Sequence, residues 1–378
     1  MSEAPPIASR RRFGSILLRL VLALLVLGLL AATASTLWVR RALSPAMAEG
    51  ARQVRPIAFE VAPGDTMGRV ARRLESEGLI RDARVARWFA KTEGIGSSLK
   101  IGEYELSSAQ STPEILDVLV SGRVRTHSVS IPEGLRAVEI ADRLAEAGLV
   151  DRESFLRIAF DPQSAARLGV QGTSLEGYLY PDTYRFARGL PAERIVQSMV
   201  DQFRSVYGDL VRDRLTGEVD EGADTTDGVP DAIPASVETR GRTLTMLEFV
   251  TLASIVEKET GVPAERPLIA AVFLNRLARG MRLETDPTVI YGIEGFDGNL
   301  RRVHLEDSSN PYNTYRIRGL PPGPIANPGR EALHAVLAPA DAAYLYFVSR
   351  NDGTHVFSKS YAEHEAAVDR FQRRRSRR

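Results

Sequence analysis

Two carboxylates, Glu257 and Glu259, end an otherwise apolar stretch, Leu252-Ala253-Ser254-Ile255-Val256, and Thr260, Gly261 and Pro263 follow them. The pattern predicts the last turns of a buried helix, stopped by a left-handed Gly261 and kept from resuming by Pro263. A carboxyl group placed there meets the negative end of the helix dipole and apolar neighbours, and both favour its protonated form. A carboxylic acid that keeps its proton near neutral pH is what general acid catalysis requires. Residues two apart on a helix point roughly 200° apart, so these two carboxylates cannot share one cleft equally. Glu259 stacks on Ile255 and Val256, whereas Glu257 stacks on Ala253 and Ser254. Glu259 is therefore the candidate acid. Glu257 reads as a supporting carboxylate that bonds a loop N–H or pairs with Arg276 or Arg282.

Several elements must hold that helix end in place. Upstream, Thr243 or Thr245 caps the helix, Thr245 doing so with Glu248 in a capping box. Downstream, Pro263 to Arg266 open a second helix, in which Leu268, Ile269, Val272, Phe273 and Leu277 recur at helical spacing as far as Gly280. A short extended piece and a third helix lie within residues 281–292, with Thr285 or Asp286 as cap and Pro287 in the first turn. Residues 310–315 and 319–329 are Asn-, Tyr- and Pro-rich loops, of the rigid kind that lines a cleft. Residues 331–337 predict a helix, 344–348 a strand and 355–358 its hairpin partner. His304 and His355 stand alone in the sequence and read as structural.

The chain has 378 residues, enough for two or three domains. Its 49 Lys and Arg balance 48 Asp and Glu, so global charge gives no reason to expect a nucleic-acid partner. Five His and no Cys exclude thiol catalysis, thiolate metal sites and disulfides. No phosphate-binding loop, dinucleotide glycine fingerprint or His-Glu-x-x-His motif occurs.

Residues 20–39 carry no charge and are long enough to cross a bilayer. Arg10, Arg11, Arg12 and Arg19 precede the run and Trp38 closes it, which predicts a single span with a cytoplasmic N-terminus and everything beyond about residue 42 outside. A cleaved signal peptide with Ala32-Thr33-Ala34 at its cleavage site is the other reading.

Beyond the span, a strand–turn–helix pattern appears twice, 70 positions apart. Gly64 corresponds to Gly134, Ala71 to Ala141, Arg73 to Arg143 and Leu74 to Leu144, and Gly78-Leu79-Ile80 to Gly148-Leu149-Val150. The first copy resembles the opening of LysM-type glycan-binding modules; a plain α+β packing domain fits the same residues. Residues 175–184, rich in Tyr, Gly and Pro, suit a surface loop that could stack on sugar rings. Residues 195–215 form an amphipathic helix. Residues 218–242 are too polar to bury a core and predict a flexible linker, and the Arg-rich residues 373–378 a frayed tail.

Ala253-Ser254-Ile255-Val256-Glu257-Lys258-Glu259-Thr260 resembles the signature of the endolytic murein transglycosylases, the YceG-like family. So do residues 272–277, 280–283, 285–292, 312–315 and 319–325, in the same order. The resemblance implies a membrane-anchored lyase facing the periplasm, attached to the inner membrane by one span. Such an enzyme cuts peptidoglycan glycan strands internally, between N-acetylmuramic acid and N-acetylglucosamine, leaves 1,6-anhydro ends and associates with cell-wall synthases. No cofactor or metal is implied.

The expected fold class is α+β: a transmembrane helix, LysM-like repeated strand–helix modules, then a mainly helical catalytic domain with long loops and a small β element. The expected divisions are 1–42, 55–165, 166–217, 218–242, 243–372 and 373–378. A single Glu259 suffices for the chemistry, first as acid and then as base. The family's catalytic glutamate aligns with it. Asn275, Asp286, Tyr291, Tyr312, Asn313, Tyr315 and Asn327 are candidates for binding N-acetyl groups, stacking on sugars or orienting the acid. Two other readings stay open: a non-enzymatic glycan-binding scaffold for synthases, and a two-carboxylate hydrolase with Asp286 as the second acid.

Overall fold

The structure, a computed structural model, describes residues 8–47, 56–216 and 234–373. Most of the expected linker (residues 218–233) and nearly all of the Arg-rich tail lie outside the described residues. The chain forms two compact units, residues 1–126 and 127–378.

The first unit begins with the helix Ala8–Leu43, of which residues 18–43 are long and apolar enough to cross a membrane, an 18-residue stretch within them reaching a mean hydropathy of 2.4. The strands Ile57–Val61 and Gly102–Leu106 then pair antiparallel, Phe59 opposite Tyr104. The helices Met67–Ser76, Ala83–Thr92 and Thr112–Ser121 complete this unit. Alternation along the strands sends Phe59, Val61, Tyr104 and Leu106 inward against Val70, Leu74 and Ile115. The Tyr104 hydroxyl is satisfied by the carbonyls of Lys100 and Leu119.

The second unit opens with the other copy of the repeat. Its helix Ala137–Glu146 lies 70 positions after Met67–Ser76 at both ends. Ile140, Ala141 and Leu144 are buried where Val70, Ala71 and Leu74 are. The turn glycines Gly64 and Gly134 both take positive φ, at 81° and 76°, a conformation that costs glycine little. Arg73 donates to the Glu60 carbonyl, and Arg143 donates to the carbonyl of Ser130, again 70 positions on.

The two copies nevertheless fall in different units, whereas a single region spanning residues 55–165 was expected. The second copy's strand, Thr126–Ser130, forms a two-stranded sheet with Thr183–Ala187, and its helix packs into the large core of the second unit. A strand–helix pair cannot bury its own apolar face, so each copy joins the core that offers one.

Residues 175–184 are also placed differently from expectation. Tyr178 and Leu179 are fully buried and Tyr180 nearly so, so the aromatic stretch is core rather than a sugar-stacking surface loop. Gly177 permits this. A Cβ at that position would sit 2.6 Å from Pro324 and from Val250, so only glycine lets the segment approach the helix that carries Val250. The end of the predicted linker is ordered as well. Ser236–Thr239 pairs antiparallel with Arg242–Thr245, and the buried Thr239 hydroxyl donates to the Val336 carbonyl.

The frame of the second unit is a set of three mutually packed helices, Met246–Glu259, Arg266–Ala278 and Arg330–Leu337. The hairpin Tyr346–Ser349 with His355–Ser358 lies beside them. It is followed by the helix Tyr361–Val368, capped by Ser360 and Glu363, which has no counterpart in the sequence-based expectation.

Candidate active site

The helix Met246–Glu259 starts on a capping box, with the Glu248 amide donating to the Thr245 hydroxyl and the Thr245 amide to the Glu248 carboxylate. Every residue from Phe249 to Val256 is buried. The helix does not end on a left-handed glycine. Thr260 turns extended, at φ −145° and ψ 139°, and its hydroxyl accepts from the Val262 amide. Pro263 to Glu265 then form a single 3₁₀ turn into the next helix. The chain leaves the helix through a β-region residue, so no positive φ is needed.

Glu259 and Glu257 face different surroundings, as helical phase requires. Glu259 is partly buried and lines a cavity of about 400 Å³, together with Arg276, Asp286, Tyr315, Phe347 and His355. The Thr285 hydroxyl donates to its Oε1. Desolvation is the largest influence on its carboxyl and pushes its pKa up to about 7; the nearby Asp286 charge pushes the same way, while the Thr285 bond, His355 and Arg276 oppose. The group is thus an acid poised between its two protonation states near neutral pH.

Thr285 is held by a small ladder of buried hydroxyls. Its amide donates to the Thr314 hydroxyl at 3.1 Å, its carbonyl accepts from Thr288 at 2.8 Å, and Thr288 and Thr314 meet at 2.8 Å. Next to it, Arg276 is only 7% exposed and joins three pieces of the wall. Its guanidinium donates to the carbonyls of Leu345, Leu283 and Arg282 and to the Glu284 carboxylate. Glu284 itself takes φ 51°, a strained value for a residue with a Cβ, at the bend that turns the chain from Leu283 into Thr285. Glu265 accepts from the amide of the lining residue His355 at 2.8 Å, and its other oxygen lies 2.7 Å from the ring Nδ1. His355 is therefore an oriented wall residue of the Glu259 cavity, correcting its reading as an isolated structural histidine.

Glu257 faces the other side. It pairs with Arg266 at 3.2 Å, both side chains being nearly buried, and accepts from the Gly329 amide at 3.0 Å. The loop N–H was expected; the cation is Arg266 rather than Arg276 or Arg282. Here the second repeat copy meets the helix end. Glu133 lies 3.8 Å from the Arg266 guanidinium, and the Gly134 carbonyl accepts from Lys258 at 3.2 Å. Deeper in, Glu176 is 2% exposed and accepts from the Ala137 amide, the Tyr291 hydroxyl and Asn327. Burial dominates over those bonds and raises its pKa to about 7.

A folded-state carboxyl pKa raised in this way favours folding below the unfolded pKa near 4.5, an advantage lost as pH rises through about 7. Replacing Glu176 with Gln is expected to remove about 2–3 kcal/mol of the decline in stability between about pH 5 and 8. Denaturant unfolding of parent and variant at both pH values measures the difference.

The remaining predicted residues separate into three groups. Asp286 and Tyr315 are in the Glu259 cavity, the Tyr315 hydroxyl donating to Asp286 at 2.8 Å. Tyr291 and Tyr312 pack on each other at 4.8 Å, with Tyr291 bound to Glu176. The three asparagines use their amides on the fold. Asn275 donates to the carbonyls of Ala342 and Tyr344. Asn313 donates to those of His304, Leu305 and Asp307. Asn327 is fully buried, donating to Leu135 and Glu176 and accepting from the Leu179 amide. Their NH₂ groups are committed to backbone and buried partners instead of being turned to a cleft. Thr285 was foreseen only as a helix cap, and its side chain makes no cap bond because it is turned to Glu259.

The model of the YceG-like family matches residues 59–370. The endolytic murein transglycosylase of Bacillus subtilis is 27% identical over 331 residues, covering 83% of this chain and 84% of that protein. The protein of the same name from Streptococcus pneumoniae R6 is 27% identical over 346 residues, which cover 82% of this chain and 58% of the longer relative. A crystal structure of a YceG-like protein from Listeria monocytogenes superposes with a TM-score of 0.51 at 30% identity, covering 83% of this chain and all of that one.

Proposed function

Since this chain belongs to the YceG-like family, whose model spans most of its length, we propose that it is an endolytic peptidoglycan transglycosylase with Glu259 as its working group. The relatives that bear that activity in their names support the substrate class. The observation that carries the residue assignment is the Glu259 carboxyl in its cavity, held at about pKa 7 by desolvation.

Protonated Glu259 gives its proton to the glycosidic oxygen between N-acetylmuramic acid and N-acetylglucosamine. The C1–O bond breaks and the muramic acid 6-hydroxyl attacks C1. Glu259, now a carboxylate, takes the proton from that hydroxyl and is restored. No water is consumed, and one new end is a 1,6-anhydro sugar. The 2-acetamido group can carry positive charge between the two steps. The helix Ala8–Leu43 acts as a single-pass anchor in the inner membrane, with the enzyme on the periplasmic side, and internal cleavage of new strands would set their length beside the synthases that make them.

Asp286 lines the same cavity, which keeps the two-carboxylate hydrolase as the second reading. The two readings differ in products and in pH dependence. Digestion of purified glycan strands by the full chain is expected to yield anhydro ends by mass, the hydrated ends of a hydrolase being 18 Da heavier by roughly one water. The cleavage rate is expected to stay level below about pH 7 and to fall about tenfold per unit above it, as Glu259 loses its proton. Hydrated ends, or a second limb on the acid side from an obligatory carboxylate partner, would turn the assignment to the hydrolase. No cleavage at any pH would leave a glycan-binding scaffold.

A further inference from the structure

The first unit carries a groove unrelated to the Glu259 cavity. It has a volume of about 920 Å³ and lies between the helices Met67–Ser76 and Ala83–Thr92. Arg72, Arg84, Arg87 and Lys91 line it with Trp88, and none of its eleven lining residues is acidic. All five of these side chains are exposed, Trp88 at 54%. Arg84 has a 3.7 Å contact with Asp82; Arg72, Arg87 and Lys91 make no ion pair among the described residues. The Arg87 side chain lies beside Gly68, within ordinary contact distance of where a Cβ would stand.

Four exposed cations around an indole, with no acidic residue in the lining, make the groove attractive to an anion, and the groove's position says which anion is at hand. The helix Ala83–Thr92 packs against the helix Ala8–Leu43. Around the end of that helix, Thr112 donates to the Ala42 carbonyl at 3.3 Å and Arg81 to the Pro45 carbonyl at 2.8 Å. The groove is thereby fixed beside the point where the apolar segment 18–43 ends. Tryptophan favours the bilayer interface, and arginine and lysine bind lipid phosphate there.

We infer that this groove docks on the membrane the chain is anchored in and takes anionic phospholipid headgroups, Trp88 lying at the interface and Arg72, Arg84, Arg87 and Lys91 binding phosphate. The inference rests on the reading that residues 18–43 cross a membrane, and not on the activity of the second unit. Near an anionic surface each Lys or Arg shifts the docked-to-undocked ratio about fivefold.

The test uses the full chain in lipid nanodiscs. Trp38→Phe leaves Trp88 as the sole tryptophan. Its emission is quenched by headgroup-labelled phosphatidylglycerol or, at the same mole fraction, by headgroup-labelled phosphatidylcholine. Stronger quenching by the anionic lipid is expected, several-fold over the zwitterionic one. It should weaken with added salt and disappear in the triple variant Arg72→Ala, Arg87→Ala, Lys91→Ala, whose surface changes leave circular dichroism unchanged. Equal quenching by the two lipids in discs that have incorporated the chain overturns the docking alone. Failure to incorporate overturns the anchor and the docking together. A blue shift of Trp88 produced by soluble glycan fragments, with equal quenching by the two lipids, assigns the groove to glycan and overturns the lipid proposal.

Discussion

Glu259→Gln is expected to abolish cleavage of glycan strands, with a rate loss of about a thousandfold or more. The amide keeps the size of the carboxyl and can still accept from Thr285, but it has no proton to give to the glycosidic oxygen and no charge with which to retrieve one. Removing a general acid alone typically costs roughly 10²–10⁴-fold, and under the proposed mechanism the same group serves both steps. Glu257→Gln is the matched control two residues away. It leaves the acceptor for the Gly329 amide and removes the charge facing Arg266, so stability falls, by about 3 kcal/mol, while the folded fraction retains cleavage within about tenfold. Mass analysis of digests and denaturant unfolding of both variants read the two effects separately. A Glu259→Gln variant that still produced anhydro ends would remove Glu259 from the chemistry.

The largest stability effect is expected at Arg276. Arg276→Met keeps much of the aliphatic stem but strips the carbonyls of Leu345, Leu283 and Arg282 of their donors, and Glu284 of its cation. Leaving buried carbonyls without their donors costs about 1–3 kcal/mol each, and a total of about 3–5 kcal/mol lowers the melting temperature of a unit of this size by about 10 °C. Arg276→Lys is expected to recover only part of this, because one ammonium cannot spread over carbonyls on two separate segments as a guanidinium fork does. Arg279→Met, at the exposed C-cap of the same helix, should shift stability by no more than about 0.5 kcal/mol. A differential scanning experiment on the three variants decides it. An Arg276→Met protein as stable as its parent would mean that the wall holds without the guanidinium.

What the sequence made legible is what local periodicity encodes. The phase of one helix separates Glu257 from Glu259, and Thr245 with Glu248 marks where that helix begins. The hairpin of Tyr346–Ser349 with His355–Ser358 is announced by the apolar run 344–348 and its close neighbour 355–358. The illegible parts depend on partners far away in the chain. Glu265 meets His355 across 90 positions, Glu176 meets Asn327 across 151, and nothing near either residue announces the other. The asparagines misled for a related reason. An Asn in a polar loop looks the same whether its amide faces a ligand or, like Asn313, ties together three carbonyls of the preceding segment, those of His304, Leu305 and Asp307. Aromatic density in residues 175–184 could not reveal whether the stretch was core or surface. That was decided by Gly177 and its close approach to Val250 and Pro324.

The bond from Thr285 to Oε1 of Glu259 makes the two oxygens of that carboxyl unequal. One is a fixed acceptor, so the transferable proton of the acid form resides on the other. On the proposed chemistry the carboxyl then has one address for its proton throughout a turnover, leaving and returning at the same atom, and the sugar is to be bound in register with that atom. The hydroxyl ladder behind Thr285 holds that handedness: on the same proposal Thr288 and Thr314, sitting in the wall, are the gauge for the side of the acid on which a glycan is cut.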